Sequence, residues 1–153
     1  MSYWMKIAEQ ELARGVTEVP GAANNPRILE YHRSCTSWQS NWGPSQDETD
    51  WCSSFVNWVM RQCGCIGSQS ARARSWRRWG VACEQQYGAI TVLSSSSHVG
   101  FFYDNGPGNR VALLGGNQAL DGRNRVCIKS YPRWRVAGYR WPAQSVVPER
   151  SSG

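Results

Sequence analysis

Five short runs of β-branched and aromatic residues in the second half of the chain constrain the fold more than any other feature. The runs span residues 89–93, 99–103, 110–114, 125–130 and 136–140. Turn signals separate them, including a run of serines at 94–97, the segment Asp-Asn-Gly-Pro-Gly-Asn at 104–109 and Gly-Gly-Asn at 115–117. Parallel pairing of neighbouring strands would need a long crossover connection, which these short turns cannot provide. We therefore expect an antiparallel sheet built as a meander.

Helical periodicity dominates the first 80 residues. Residues 3–14 carry apolar side chains three and four positions apart and stop at Gly15, and residues 26–32 begin with a proline, which suits a first helical position. Two further helices are expected at 52–63 and 70–79, which end before Gly64 and Gly80. The predicted fold class is α+β, with N-terminal helices packed on a five- to six-stranded antiparallel sheet.

Length and hydropathy predict a single domain. A chain of 153 residues with 41% hydrophobic composition can bury a core of its own. We assign residues 1–142 to this domain and the polar segment 143–153 to a C-terminal tail. No run of about 18 apolar residues occurs, which predicts no membrane insertion, and the N-terminus lacks the pattern of an export signal. We expect a monomer that is made in the cytoplasm.

The net charge of +6, from 17 basic and 11 acidic residues, favours an anionic partner such as a cell-wall polymer or nucleic acid. An arginine-rich solvated surface would give the same charge. Segment 72–79 interleaves arginines with Trp76 and Trp79, which would suit a nucleic-acid stripe in a binding module without catalysis. A helix with its tryptophan face in the core explains the same spacing more simply. We favour that interpretation and expect no nucleic-acid partner.

Six cysteines are too few for a disulfide scaffold and match no zinc-finger spacing. Cys63 and Cys65, together with His32 and Cys35, form only a weak metal signal. We expect no metal and no cofactor. Buried thiols, or one disulfide formed in an oxidising compartment, are the interpretations left open for the cysteines other than Cys52.

Cys52 differs from the other cysteines because it heads the helix predicted at 52–63. Asp50 or Thr49 is expected to cap that helix. In the first turn, unpaired N–H groups and the positive end of the helix dipole should lower the pKa of the thiol and make Cys52 a nucleophile. Asp50 opposes this effect, since a nearby carboxylate disfavours a thiolate. The backbone N–H of Cys52 is a candidate oxyanion donor.

A nucleophilic cysteine needs a base, and the chain holds two histidines. His98 lies between the serine run and the strand predicted at 99–103, where its ring can face a helix start, whereas His32 lies in the predicted helix 26–32. The next strand ends in Gly-Gly-Asn-Gln at 115–118. We predict that the amide of Asn117 accepts a hydrogen bond from His98 and orients its ring, with Gln118 as the alternative.

Cys52, His98 and Asn117 occur in motifs that resemble those of a known protein family. The motifs are WC-x-x-FVN at 51–57, ARARSW at 71–76, HVGF at 98–101 and LGGNQ at 114–118. Over about residues 3 to 142, the chain is similar to the papain-like cysteine amidases and peptidases of the CHAP and NlpC type, which cleave peptidoglycan. The motifs also resemble those of a compact subgroup found in phage lysins and antibacterial effectors.

The resemblance implies a papain-like fold, a Cys-His-Asn site and a peptidoglycan substrate. The bond cleaved, in the peptide stem or at the sugar–peptide junction, stays open. Trp51, Trp42, Tyr31 and Gln118 are the candidate substrate-binding residues, with Trp51 and Trp42 expected to be exposed. Such an enzyme would act in the periplasm or on the cell wall, and a secreted effector would imply an immunity protein as partner.

Overall fold

Helices form the first part of the described chain. The computed structural model describes residues 2–19, 25–35, 50–94, 98–119 and 122–143. Within these ranges lie helices α1 (Trp4–Arg14), α2 (Pro26–Arg33) and α3 (Cys52–Gln62). α1 ends at Gly15, whose φ of 67° is the left-handed conformation that glycine adopts without strain. α2 starts at Asn25, whose side chain accepts a hydrogen bond from the backbone N–H of Arg27.

In the described residues, the helices are followed by one antiparallel sheet of six strands, and the α+β class is confirmed. The strands run in the spatial order β1-β6-β2-β3-β4-β5. Their bounds are β1 Val81–Ala82, β2 Ile90–Leu93, β3 Val99–Gly106, β4 Arg110–Ala119, β5 Asn124–Pro132 and β6 Val136–Trp141.

The sheet is not a simple meander. Strands β2 to β5 follow one another as expected, but β6 returns across the sheet and pairs with β2, with Thr91 opposite Tyr139. The two-residue strand β1, which the sequence pattern did not predict, then pairs with the other edge of β6. The return leaves β5 at one edge of the sheet and β1 at the other.

The helix predicted at 70–79 is wrong, because only the short 3₁₀ helix Ala73–Trp76 forms there. Instead, side chains of α3 bind the backbone of the loop that connects α3 to this 3₁₀ helix. Asn57 accepts a hydrogen bond from the N–H of Gln69, which has a φ of 60°, and the hydroxyl of Ser53 donates to the carbonyl oxygen of Ser70. These hydrogen bonds stabilise a loop conformation, and a continuous helix in this segment would lose them.

Helix α3 is buried along most of its length, between the other helices and the sheet. Phe55 packs on Phe101 of β3, with ring centroids 6.3 Å apart, and on Tyr31 of α2 at 5.2 Å. Strand β4 approaches the start of α3 closely. A Cβ atom added at Gly116 would lie 2.6 Å from the Trp51 ring and 2.8 Å from Cβ of Phe55. The contact fixes where Cys52 lies relative to the sheet.

None of the described helices combines the length and apolar character needed to cross a membrane. The polar tail predicted for 143–153 lies, after residue 143, outside the described residues.

Candidate active site

Cys52 is the first residue of α3, and its predicted cap is wrong. Trp51 occupies the N-cap position, and its side chain makes no capping hydrogen bond. The Asp50 carboxylate instead accepts a hydrogen bond from the side-chain amide of Asn117, at 3.3 Å. Thr49, the other predicted cap, lies outside the described residues.

The structure brings Cys52 and His98 together in one cavity of about 320 Å³. His98 immediately precedes β3, and the backbone N–H of the next residue, Val99, donates a hydrogen bond to the thiol of Cys52. The residues that line the cavity are Asp50, Cys52, His98, Asn117, Lys129, Tyr131 and Arg135.

Gln118, rather than Asn117, orients His98. Its side-chain oxygen lies 2.9 Å from Nε2 of His98 and also accepts a hydrogen bond from the Tyr131 hydroxyl, at 3.0 Å. The amide nitrogen of Gln118 donates to backbone carbonyls, most closely to that of Cys127 at 2.6 Å, which fixes the orientation of the amide. Since an amide oxygen only accepts, Nε2 of His98 carries the proton and Nδ1 is left as the basic nitrogen.

A break in the strand register explains why Gln118, and not Asn117, contacts His98. The β4–β5 pairing shifts between Gly115 and Gln118, and Asn117 takes a φ of 57°. This bulge turns Gln118 inward, where it is 1% exposed, and aims Asn117 toward Asp50. Simple two-residue alternation along β4 does not reveal the shift. Asn117 still lines the cavity, and its Oδ1 is buried with no hydrogen-bond partner among the described residues.

The Cys52 thiol does not have the low pKa predicted from its place at a helix start. Burial, with 4% of the residue exposed, raises the pKa of Cys52 to about 11, since it disfavours the thiolate. The hydrogen bond from the Val99 N–H lowers the pKa, but only in part, and the charge of Asp50 raises it further, as expected. At neutral pH the thiol is protonated.

His98 is also neutral at that pH. Burial lowers the pKa of its imidazole to about 4, against the hydrogen bond to Gln118, which raises it. The positive charges of Arg135 and Lys129 lower the pKa of His98 further. The resting site is therefore a neutral thiol beside a neutral imidazole with a free Nδ1, not a thiolate–imidazolium pair.

Two predicted substrate-binding aromatics are not at the surface. Trp51 is 0% exposed, and its indole N–H donates to the Glu18 carboxylate at 2.9 Å. Tyr31 is also 0% exposed and donates to the Glu11 carboxylate at 2.6 Å. Their rings are stacked with centroids 5.9 Å apart, and both side chains belong to the hydrophobic core next to the start of α3. Trp42, the remaining aromatic candidate, lies outside the described residues.

Other predicted groups serve the core. His32 is buried, and its Nδ1 lies 2.8 Å from the hydroxyl of Ser54. Trp76 is 0% exposed, donates to the Ser53 hydroxyl and packs edge-on against Trp79, so its ring is not available to stack on bases. All six cysteines are free thiols. In the described part of the chain, no group of three His, Cys, Asp or Glu side chains is placed to hold a metal ion.

Sequence reasoning missed Lys129, Tyr131 and Arg135 as residues of the site. A signal for two of them existed, since Lys129 and Tyr131 are two positions apart on β5 and therefore share a face of the sheet. Arg135 belongs to the short 3₁₀ helix Arg133–Arg135, whose position depends on the return of β6 across the sheet.

The comparisons with known proteins do not assign this arrangement to a family. No protein-family model matches the chain, and no curated protein matches it at a significant level.

Proposed function

We propose that this protein is a cysteine hydrolase that cleaves an amide bond of peptidoglycan, in the peptide stem or at the sugar–peptide junction. One observation carries the proposal. A cysteine at a helix start shares a cavity with a histidine whose Nε2–H is held by a buried glutamine, which leaves Nδ1 as the base. A helix-borne cysteine and a strand-borne histidine are also what the resemblance to papain-like enzymes implies.

The neutral pair favours general-base chemistry. His98 Nδ1 takes the thiol proton as Sγ of Cys52 attacks the carbonyl carbon and forms a C–S bond. The backbone N–H of Cys52 stabilises the oxyanion, and the imidazolium gives its proton to the leaving amine as the C–N bond breaks. Water, deprotonated by His98, then hydrolyses the thioester and restores the thiol. The Gln118 oxygen stabilises the imidazolium through Nε2–H in both steps.

The substrate assignment has two supports. The motifs around Cys52 and His98 resemble those of peptidoglycan amidases and peptidases. The net charge of +6 favours association with anionic wall polymers. On this proposal the protein acts on the cell wall or in the periplasm, as a phage lysin or a secreted antibacterial effector. An effector would be paired with an immunity protein that blocks the cavity.

Digestion of purified peptidoglycan tests the proposal. Wild-type protein should release soluble fragments, and Cys52→Ala should abolish release while keeping its circular dichroism spectrum and Tm. Mass spectrometry of the fragments identifies the bond: a free lactyl group indicates an amidase, and a cut stem indicates an endopeptidase. Undiminished activity of folded Cys52→Ala, or no release by the wild type, would refute the proposal.

A further inference from the structure

The charged residues of the cavity and their polar neighbours form two groups. Asp50 and Asn117, joined by a hydrogen bond, lie beside the start of α3. Lys129 and Arg135 converge on the ring of Tyr131: Nζ of Lys129 lies 5.7 Å from the ring centroid and Cζ of Arg135 lies 5.3 Å from it. The cavity that contains the thiol is therefore polar, with an acidic part and a basic part.

The two cations are held near the reacting groups. Tyr131 is the residue that also donates to Gln118, and its ring centroid lies 5.4 Å from that of His98. Cations over an aromatic face are favourably placed, which keeps both of them within the cavity. None of the ion pairs among the described ranges involves Lys129. A positive charge is thus presented to whatever enters beside His98.

The positive charges of Lys129 and Arg135 disfavour protonation of the His98 imidazole, and an anion bound between them would weaken this effect. Both cations lie over the Tyr131 ring, whose centroid is 5.4 Å from that of the His98 ring, and their positive charges lower the pKa of His98. An arginine and a lysine on neighbouring elements suit a carboxylate, since the guanidinium can donate two parallel hydrogen bonds and the ammonium adds a point charge. A carboxylate bound there would also raise the basicity of His98 when the substrate is in place.

We propose that Lys129 and Arg135 form a carboxylate-binding subsite beside Cys52, so that the preferred substrate is an amide flanked by a free carboxylate, as in an acidic stem peptide. The substrate part of this inference rests on the proposed function, because it assumes that Cys52 attacks an amide. Binding of the carboxylate itself does not require hydrolysis and can be tested separately.

Alkylation of Cys52 provides that test. Iodoacetate and iodoacetamide react alike, with the sulfur attacking the methylene carbon, iodide leaving and the thiol proton passing to solvent, but only iodoacetate carries a carboxylate. Peptide mapping by mass spectrometry gives the rate at Cys52 separately from the other cysteines. We expect the iodoacetate-to-iodoacetamide rate ratio to fall at least about threefold in Lys129→Met and in Arg135→Met. Lys6→Met and Arg61→Met, at exposed positions on α1 and α3, are the matched controls.

A ratio that is the same in all four variants and the wild type would overturn the subsite. If Cys52 reacts with neither reagent, titration with propionate and propionamide decides, with the His98 imidazole followed by NMR. Propionate, but not propionamide, should raise the pKa of His98, and Lys129→Met should remove this increase. If propionate leaves the pKa of His98 unchanged, the proposed subsite is overturned. A protein that passes these tests but does not digest peptidoglycan retains the subsite and loses the proposed function. Where digestion occurs, amidation of the substrate carboxylates should raise KM more for the wild type than for Lys129→Met.

Discussion

The imidazole Nε2 of His98 lies 2.9 Å from the side-chain oxygen of Gln118, and both residues are buried. Because the amide nitrogen of Gln118 is held by backbone carbonyls, the glutamine cannot turn without losing several hydrogen bonds. The neighbouring Asn117 makes no such contact with the histidine. Gln118 therefore fixes the tautomer of the base.

Replacing Gln118 by Ala should reduce kcat by about 100-fold, since the ring of His98 loses the partner that holds its orientation and stabilises the imidazolium. The kinetics of stem-peptide hydrolysis measure this effect. Asn117→Gly is the matched control, because glycine accepts the φ of 57° and removes only the amide. It should leave kcat within a few-fold of wild type, although KM can change because Asn117 lines the cavity. Equal losses of kcat in the two variants would assign no special role to Gln118.

The pH dependence of kcat/KM should reflect a neutral base. With the pKa of His98 lowered to about 4, activity should rise across that pH and remain level through neutrality, because the base is already deprotonated. The pKa of Cys52, about 11, places any alkaline change far above neutrality. A thiolate–imidazolium pair would instead give a bell with its limbs nearer neutrality. Rates measured from pH 4 to pH 10 distinguish the two profiles.

Stability should fall in acid because of His98. The folded state lowers its pKa from 6.5 to about 4, so the unfolded state binds more protons between these values. The stability contribution is present above pH 6.5 and is lost as the pH falls toward 4, by roughly 3 kcal/mol. Urea unfolding at a series of pH values measures it. In His98→Gln this part of the dependence should disappear, and a curve parallel to the wild type would contradict the assignment.

Gly116→Ala should destabilise the protein by about 1–3 kcal/mol, since the new methyl group would overlap the Trp51 ring and Cβ of Phe55. Gly138→Ala is the control: a Cβ there meets no atom within 4 Å, so its effect should be small. Urea unfolding compares the two. Equal stability of both variants would show that β4 can move away from α3 without cost.

Asp50→Asn should lower the pKa of Cys52, because the carboxylate opposes formation of the thiolate. The thiol should then react faster with iodoacetamide at a fixed pH below its pKa. Asp104→Asn, an exposed acid on β3 outside the cavity, should leave the rate at Cys52 unchanged. A rate that does not respond to Asp50→Asn would remove that carboxylate from the electrostatics of the site.

Much of the fold was predictable because its signals are local. The apolar spacing after Cys52 reflects one buried helical face, and the turn after β3 is signalled by Gly108 and Asn109. The turn signal at 115–117, in contrast, lies inside β4, where the strand register shifts. The helix expected at 70–79 failed because Ser53 and Asn57, distant in sequence, bind the loop backbone. Local propensity does not contain such contacts.

The nucleophile and the base of the site were predictable from the sequence, but their protonation states were less so. Cys52 and His98 could be paired from motif order, but the pKa of each depends on burial, which only the packed structure determines. The exchange of Asn117 for Gln118 depends on a bulge whose cost and benefit are set by the partner strand β5. The same is true of Arg135, which enters the cavity from the turn between β5 and β6.

The close approach of Gly116 to Trp51 limits how the cavity can be redesigned. Backbone, rather than an exchangeable side chain, separates β4 from the start of α3. A larger residue at Gly116 therefore cannot be introduced without displacing the start of α3, and with it the nucleophile. Altered substrate size must come from side chains that line the cavity, such as Lys129 on β5 and Arg135 in the following turn, which substitution can shorten. Shortening either of these two side chains also removes part of the positive charge of the cavity.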